Sequence, residues 1–247
     1  MLSTVLDTVI LRSRFSNVDE ALKGLSGLTS LTFSAEYGRI STDLSFLQNF
    51  ARNFKVLKIA HVATRDTVNP ISTIPFDLMT NLTSLSLGCI FSEKASQKYL
   101  AAAILRLPEL VDLEITISPR VSPNLARTIG SMKNLRRLRL RKLTLTADFA
   151  SAIGTLTNLK ELNLALENAE KDSFNRLKGL SKLKSLTLHP VKTANIGVRC
   201  DASISELILL LNALPNLDRV RVVGLFTKTV SASVTHKICP FISDLKI

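Results

Sequence analysis

Asn134-Leu-Arg-Arg-Leu-Arg-Leu140 returns 24 residues later as Asn158-Leu-Lys-Glu-Leu-Asn-Leu164, and the same arrangement, apolar-x-x-apolar-x-apolar, begins at Leu28, Phe54, Leu82, Leu110, Leu135, Leu159, Leu183 and Leu217. The intervals are 26, 28, 28, 25, 24, 24 and 34 residues. Self-similarity at such a period marks a repeat array, in which one unit cannot bury its own leucines and stacking makes a continuous core. Within each motif apolar and polar residues alternate as in a short strand. The sequence predicts strands at Leu31 to Phe33, Leu57 to Ile59, Leu85 to Leu87, Leu113 to Ile115, Leu138 to Leu140, Leu162 to Leu164, Leu186 to Leu188 and Val220 to Val222.

The stretches between motifs carry helical signals. Ser92 is a good N-cap ahead of the face Tyr99, Leu100, Ala103, Ile104 and Leu107, which stops at Pro108. Ser122-Pro123 opens another helix, with proline where its missing N–H costs nothing. Ser203-Ile-Ser-Glu206 has capping-box spacing before the face Ile204, Leu207, Ile208, Leu211 and Leu214. Strands alternating with helices make an α/β arrangement in which sequential strands are parallel neighbours. We therefore expect one array over residues 1–247, with residues 1–27 a degenerate first repeat or cap and residues 189–202 an extended loop inside the long interval.

Asn81-Leu-Thr-Ser-Leu-Ser-Leu87, Leu183-Lys-Ser-Leu-Thr-Leu188 and the two stretches quoted first resemble the leucine-rich repeat superfamily over about residues 25–247. The resemblance implies an α/β solenoid, a horseshoe with a parallel concave sheet and convex helices. It says little of function, since that superfamily includes receptors, ubiquitin-ligase substrate adaptors and pathogen effectors. Its members usually carry Asn or Cys three residues after the third apolar position. Here those places hold Glu36, Val62, Ile90, Ser118, Leu143, Glu167, Val191 and Leu225, so no asparagine ladder is expected there and the turns after the strands should be irregular.

At the ends, Leu6-Asp-Thr-Val9-Ile-Leu11 fits a first strand better than a helical face, and Ile242-Ser-Asp-Leu245-Lys-Ile247 begins a last motif. A solenoid needs polar ends. The final strand is then blunted by Asp244 and Lys246, covered by a partner, or the chain is a fragment. Cys89, Cys200 and Cys239 have no metal or redox spacing and read as free thiols in a reducing compartment. Asp7 interrupts the N-terminal apolar run, and Arg12 and Arg14 follow it, so no signal peptide is read. With no apolar run long enough for a membrane span, an intracellular protein is the expectation.

Thirty-two Lys and Arg against 20 Asp and Glu leave a net charge of +12, which favours acidic encounter partners. Exposed places of the motifs form two columns. One reads Ser30, Val56, Ser84, Asp112, Arg137, Glu161, Ser185, Arg219 and Asp244; the next reads Thr32, Lys58, Ser86, Glu114, Arg139, Asn163, Thr187, Arg221 and Lys246. Arg136, Arg137, Arg139, Arg141 and Lys142 concentrate charge on one strand. Asp112-Arg137-Glu161 and Glu114-Arg139 are candidate lateral ion pairs. The expected binding set is Arg137, Arg139, Arg141, Asp112, Glu114, Glu161, Lys58, Arg219 and Arg221, on a non-catalytic protein-interaction module whose partner is an acidic protein. Two alternatives are the substrate-recognition part of an F-box-type ubiquitin-ligase adaptor, and nucleic-acid or anionic-surface binding through Arg136 to Lys142. Few aromatics and no Trp weigh against single-strand recognition. His189 and Cys200 lack an acid partner at a motif spacing, and no cofactor, metal or catalytic constellation is read.

Overall fold

The structure, a computed structural model, describes residues 8–12, 22, 25, 27–34, 44–60, 70–91, 94–117, 120–191, 199–223, 225 and 244–246. Its contacts group into two compact units, Met1–Ile115 and Thr116–Ile247.

In the first unit, strands β1 (Thr8–Arg12), β2 (Ser30–Ser34), β3 (Val56–Ala60), β4 (Ser84–Phe91) and β5 (Asp112–Ile117, which runs over the boundary) follow one another in sheet order. From β1 to β4 the pairing is parallel and unshifted: Val9 faces Leu31, Leu31 faces Leu57, and Leu57 faces Leu85. These leucines are buried together with Leu28, Phe54 and Leu82, because each motif sends its apolar places to one side of the pleat. Chain returns to the next strand through 3₁₀ segments at Ser45–Asn49, Ala51–Asn53, Pro70–Thr73 and Phe76–Leu78, then through helix α1 (Lys94–Ile104). Leu100, Ala103, Ile104 and Leu107 are buried as expected, whereas Tyr99 stays partly exposed and its hydroxyl donates to the Ser72 carbonyl at 2.8 Å. Ser92 lies outside the described residues.

In the second unit, β6 (Arg137–Leu145), β7 (Glu161–Ala169), β8 (Ser185–Pro190), β10 (Arg219–Val223) and β11 (Asp244–Lys246) follow in order, with β9 (Arg199–Cys200) beside the end of β7. The returns are α2 (Pro123–Ser131), α3 (Ala147–Gly154), a 3₁₀ segment Phe174–Gly179 and α4 (Ile204–Ala213). Ser122 caps α2 and Ser203 caps α4 in a full capping box with Glu206, both as the sequence predicts. Thr146 caps α3 through the Phe149 N–H at 3.2 Å, a cap not read from the sequence.

Two devices join successive repeats. At the start of the strands one carbonyl accepts two N–H groups of the next strand: Arg136 from Lys160 and Glu161, Lys160 from Lys184 and Ser185, Lys184 from Asp218 and Arg219, and in the first unit Lys55 from Thr83 and Ser84. Beside these carbonyls, the side-chain amides of Asn81, Asn158 and Asn216 donate to Arg52, Lys133 and Ser181 carbonyls at 2.8, 3.0 and 2.7 Å. Asparagine therefore braces the motifs at Leu82, Leu159 and Leu217, one residue before the first leucine instead of after the third. On the helix side, a Cβ on Gly154 would lie 2.2 Å from the Arg176 carbonyl oxygen, and one on Gly179 would lie 2.3 Å from that of Gly154. Only glycine lets these backbones meet.

The turns after the strands also differ from expectation. Where irregular turns were expected, β4, β6 and β7 run on for 8, 9 and 9 residues. In β6 this is achieved by a bulge: Lys142 takes a positive φ of 60°, the register to β7 shifts, and Leu143 returns to full burial. Part of the stretch expected as a loop, residues 189–202, is strand: His189 and Pro190 end β8, and Arg199 and Cys200 pair with Asn168 and Ala169. Residues 192–198 lie outside the described set.

Candidate binding surface

Alternation places polar residues of the second unit on the open side of the sheet. Arg137 faces Glu161, which faces Ser185, which faces Arg219; the next row is Arg139, Asn163, Thr187 and Arg221. Arg137, Arg141, Arg219 and Arg221 are exposed, Arg139 and Glu161 half-buried, and Leu138, Leu162 and Leu186 beneath them fully packed. One ion pair within this face is diagonal: Arg139 Nη2 lies 3.7 Å from Glu161 Oε2, with side-chain exposures of 34% and 44%. An arginine side chain is long enough to reach the row below its own, which is why register alone does not select its partner.

The last strand departs from the expected columns. Asp244 faces Arg221 and Lys246 faces Val223, a slip of two residues that removes Asp244 from the row of Arg219 and Lys246 from the row of Arg221.

In the first unit Lys58 is exposed between Thr32 and Ser86. Glu114 is half-buried, and Asp112 keeps only 9% of its surface, so it has little to present to a partner. The pairing expected of Asp112 with Arg137 and of Glu114 with Arg139 runs over the boundary at residue 115 and remains an expectation. Away from the sheet, Tyr99 is pushed above the ordinary tyrosine pKa, first by burial and then by the negative charge of Asp77, while Arg106 opposes the shift. Asp77 and Arg106 themselves lie 4.0 Å apart and exposed.

Leucines in register on parallel strands, each followed by a helical return and a shared carbonyl rung, decide the architecture. This is an α/β leucine-rich-repeat fold. Among solved structures the chain is similar to an internalin (inlF) from Listeria monocytogenes str. 4b F2365, at 16% identity over 88% of this chain and 74% of that one, with a TM-score of 0.40. No family model and no curated protein matches the sequence. Among the described residues no group of three or more His, Cys, Asp or Glu could hold a metal ion, and no helix is long and apolar enough to cross a membrane.

Proposed function

We propose that the chain is a non-catalytic protein-interaction module whose second unit binds an acidic protein partner through the open face of its sheet. The carrying observation is the Arg139–Glu161 pair at 3.7 Å on an exposed strand face. It restrains one guanidinium on the strand face that also carries the exposed Arg137 and Arg141. Arginine suits an acidic partner, because its planar fork meets a carboxylate with two hydrogen bonds and loses little freedom once restrained. Arg219 and Arg221, two strands along from β7, extend the same cationic face. Lys58 is a peripheral contact of the first unit under this reading, and Asp112 and Glu114 serve the fold more than the partner.

The test is quantitative affinity purification with the native chain and with the double variant Arg137→Ala/Arg139→Ala, the recovered protein then being titrated in purified form. A discrete acidic partner that binds the variant at least about tenfold more weakly supports the proposal, since two contacts of about 1 kcal/mol or more each sum to at least that factor. Equal binding by both forms overturns it. Recovery of nucleic acid with a steep salt dependence overturns the choice of partner.

A further inference from the structure

Next to the open face runs a second row of residues that the binding set above does not use. Arg136, Lys160 and Lys184 each stand one residue before the register partners Arg137, Glu161 and Ser185. They are joined directly through the backbone: the Lys160 N–H donates to the Arg136 carbonyl at 2.8 Å, and the Lys184 N–H to the Lys160 carbonyl at 2.8 Å. All three side chains are exposed, and among the described residues none makes an ion pair or a side-chain hydrogen bond. The rim thus holds three like charges on consecutive strands about 4.8 Å apart. Like charges directly across from one another destabilise a sheet.

Neighbouring lysines show what a structural role looks like at this edge. Lys133 Nζ donates to the Gly130 and Thr155 carbonyls at 2.9 Å each, tying the end of α2 to the next return, and Lys182 Nζ donates to Asn158 Oδ1 at 2.8 Å. Arg136, Lys160 and Lys184 do no such work. The equivalent row of the first unit, Thr29, Lys55, Thr83 and Val111, carries one cation, so the fold does not require the row to be basic.

We infer that Arg136, Lys160 and Lys184 form a linear anion-binding rim that takes an acidic segment of polypeptide laid across the starts of β6, β7 and β8. An anionic occupant converts the mutual repulsion of the three cations into attraction, which the protein alone cannot do. A polypeptide is favoured over nucleic acid because the rim is not uniformly cationic. Asp218 closes the row after Lys184, with its N–H on the Lys184 carbonyl, and Asp218 is exposed. A peptide offers N–H donors to that carboxylate and carboxylates to the cations, whereas a phosphate backbone offers acceptors alone.

The rim is separate from the Arg137 and Arg139 contacts of the preceding proposal, and its test is separable from theirs. The full chain is titrated with a fluorescent glutamate-rich peptide, and in parallel with a duplex DNA of equal charge, at low and physiological salt. Lys160→Glu/Lys184→Glu should weaken peptide binding at least about tenfold, because like-charge juxtaposition is strongly unfavourable. Its thermal midpoint should hold, because with Asp218 counted the row keeps two like-charge neighbour pairs and one opposite-charge pair. Lys160→Gln/Lys184→Gln, which removes charge without reversing it, guards against misfolding and should give an intermediate loss. Unchanged peptide binding in both variants overturns the rim, as does tighter binding of the DNA than of the peptide. Loss with Arg137→Ala/Arg139→Ala and none with the lysine variants places peptide binding on the open face and likewise overturns it.

Discussion

The two units carry the same strand motif and return from it differently. In residues 1–115 the described returns are mostly single turns of 3₁₀ helix, with α1 the exception; in residues 116–247 three of the four are α-helices. The motif intervals follow suit, 26 and 28 residues in the first unit and 24 at the centre of the second. Yet each unit buries its own motif leucines, shares a carbonyl between two N–H groups, and has asparagine bracing beside it. Apolar-x-x-apolar-x-apolar therefore specifies one side of the repeat, and the return is free to vary so long as it covers those leucines. The shorter interval brings a constraint of its own. With strands about 4.8 Å apart, compact returns must approach closely, and Gly154 and Gly179 make this possible.

The largest expected effect tests whether each unit packs its own motif leucines equally well. Leu57→Ala in the first unit and Leu162→Ala in the second should each destabilise by about 2–5 kcal/mol in denaturant unfolding, since both side chains are fully packed. A near-silent Leu57→Ala would break the comparison, making the first unit's sheet a loose one.

Next in size is a change that should matter only where helices stack. Gly154→Ala should cost about 1–3 kcal/mol, because its Cβ meets a carbonyl oxygen of the next return and backbone cannot move aside cheaply. Thermal unfolding of the variant without a lowered midpoint would show that the returns are not held by this contact.

A smaller effect should be similar in the two units. Asn81→Ala and Asn158→Ala each remove one amide hydrogen bond to the preceding repeat, at about 1 kcal/mol, and Asn158→Ala also removes the exposed acceptor of Lys182 Nζ, which makes its cost slightly the larger. Hydrogen exchange at the neighbouring amides, Thr83 and Lys160, reads the local loosening; a twofold difference between the units would sharpen the contrast in their returns.

The smallest is confined to the first unit. Tyr99 has its folded pKa raised from 10.0, so its contribution is present below that value and is lost as pH climbs through the raised one. A Tyr99→Phe variant should therefore lose less stability than the native chain on going from neutral to strongly alkaline pH. Identical alkaline curves would exclude the hydroxyl's bond to Ser72 as a brace of α1.

Much of this fold is legible in the sequence because burial writes itself as periodicity. All eight strands expected from the motifs lie inside observed strands, and the Ser122 and Ser203 caps are read from side chains that bond their own helix. What escapes reading follows from the same logic. A slip of two residues leaves each side chain on its own face, so hydrophobic alternation does not fix β11 against β10, and Asp244 meets Arg221. Burial of Asp112 is hidden because a polar letter at an open-face position carries no mark of its surroundings. Gly130, Gly154 and Gly179 recur at 24 and 25 residues, the spacing of the leucines, and this periodic signal was available. For the binding surface, sequence supplied the arginine strand but not its diagonal pairing with Glu161, which depends on side-chain reach.

Gly130 and Gly154 also bear on how such an array can lengthen. Each is the landing place for the backbone of the following return, Ala152 over Gly130 and Arg176 over Gly154, so residues 131–154 carry both a surface that docks and a surface to be docked upon. A tandem duplication of that cassette would bring its own vacancy with it, and the added copy would seat on the original as the original seats on α2. The 3₁₀ returns of residues 45–53 and 70–78 are alike in length but unlike in composition, and a copy of either would meet a neighbour with different side chains. Growth by whole-repeat duplication is thus open at the centre of the second unit and costly in the first.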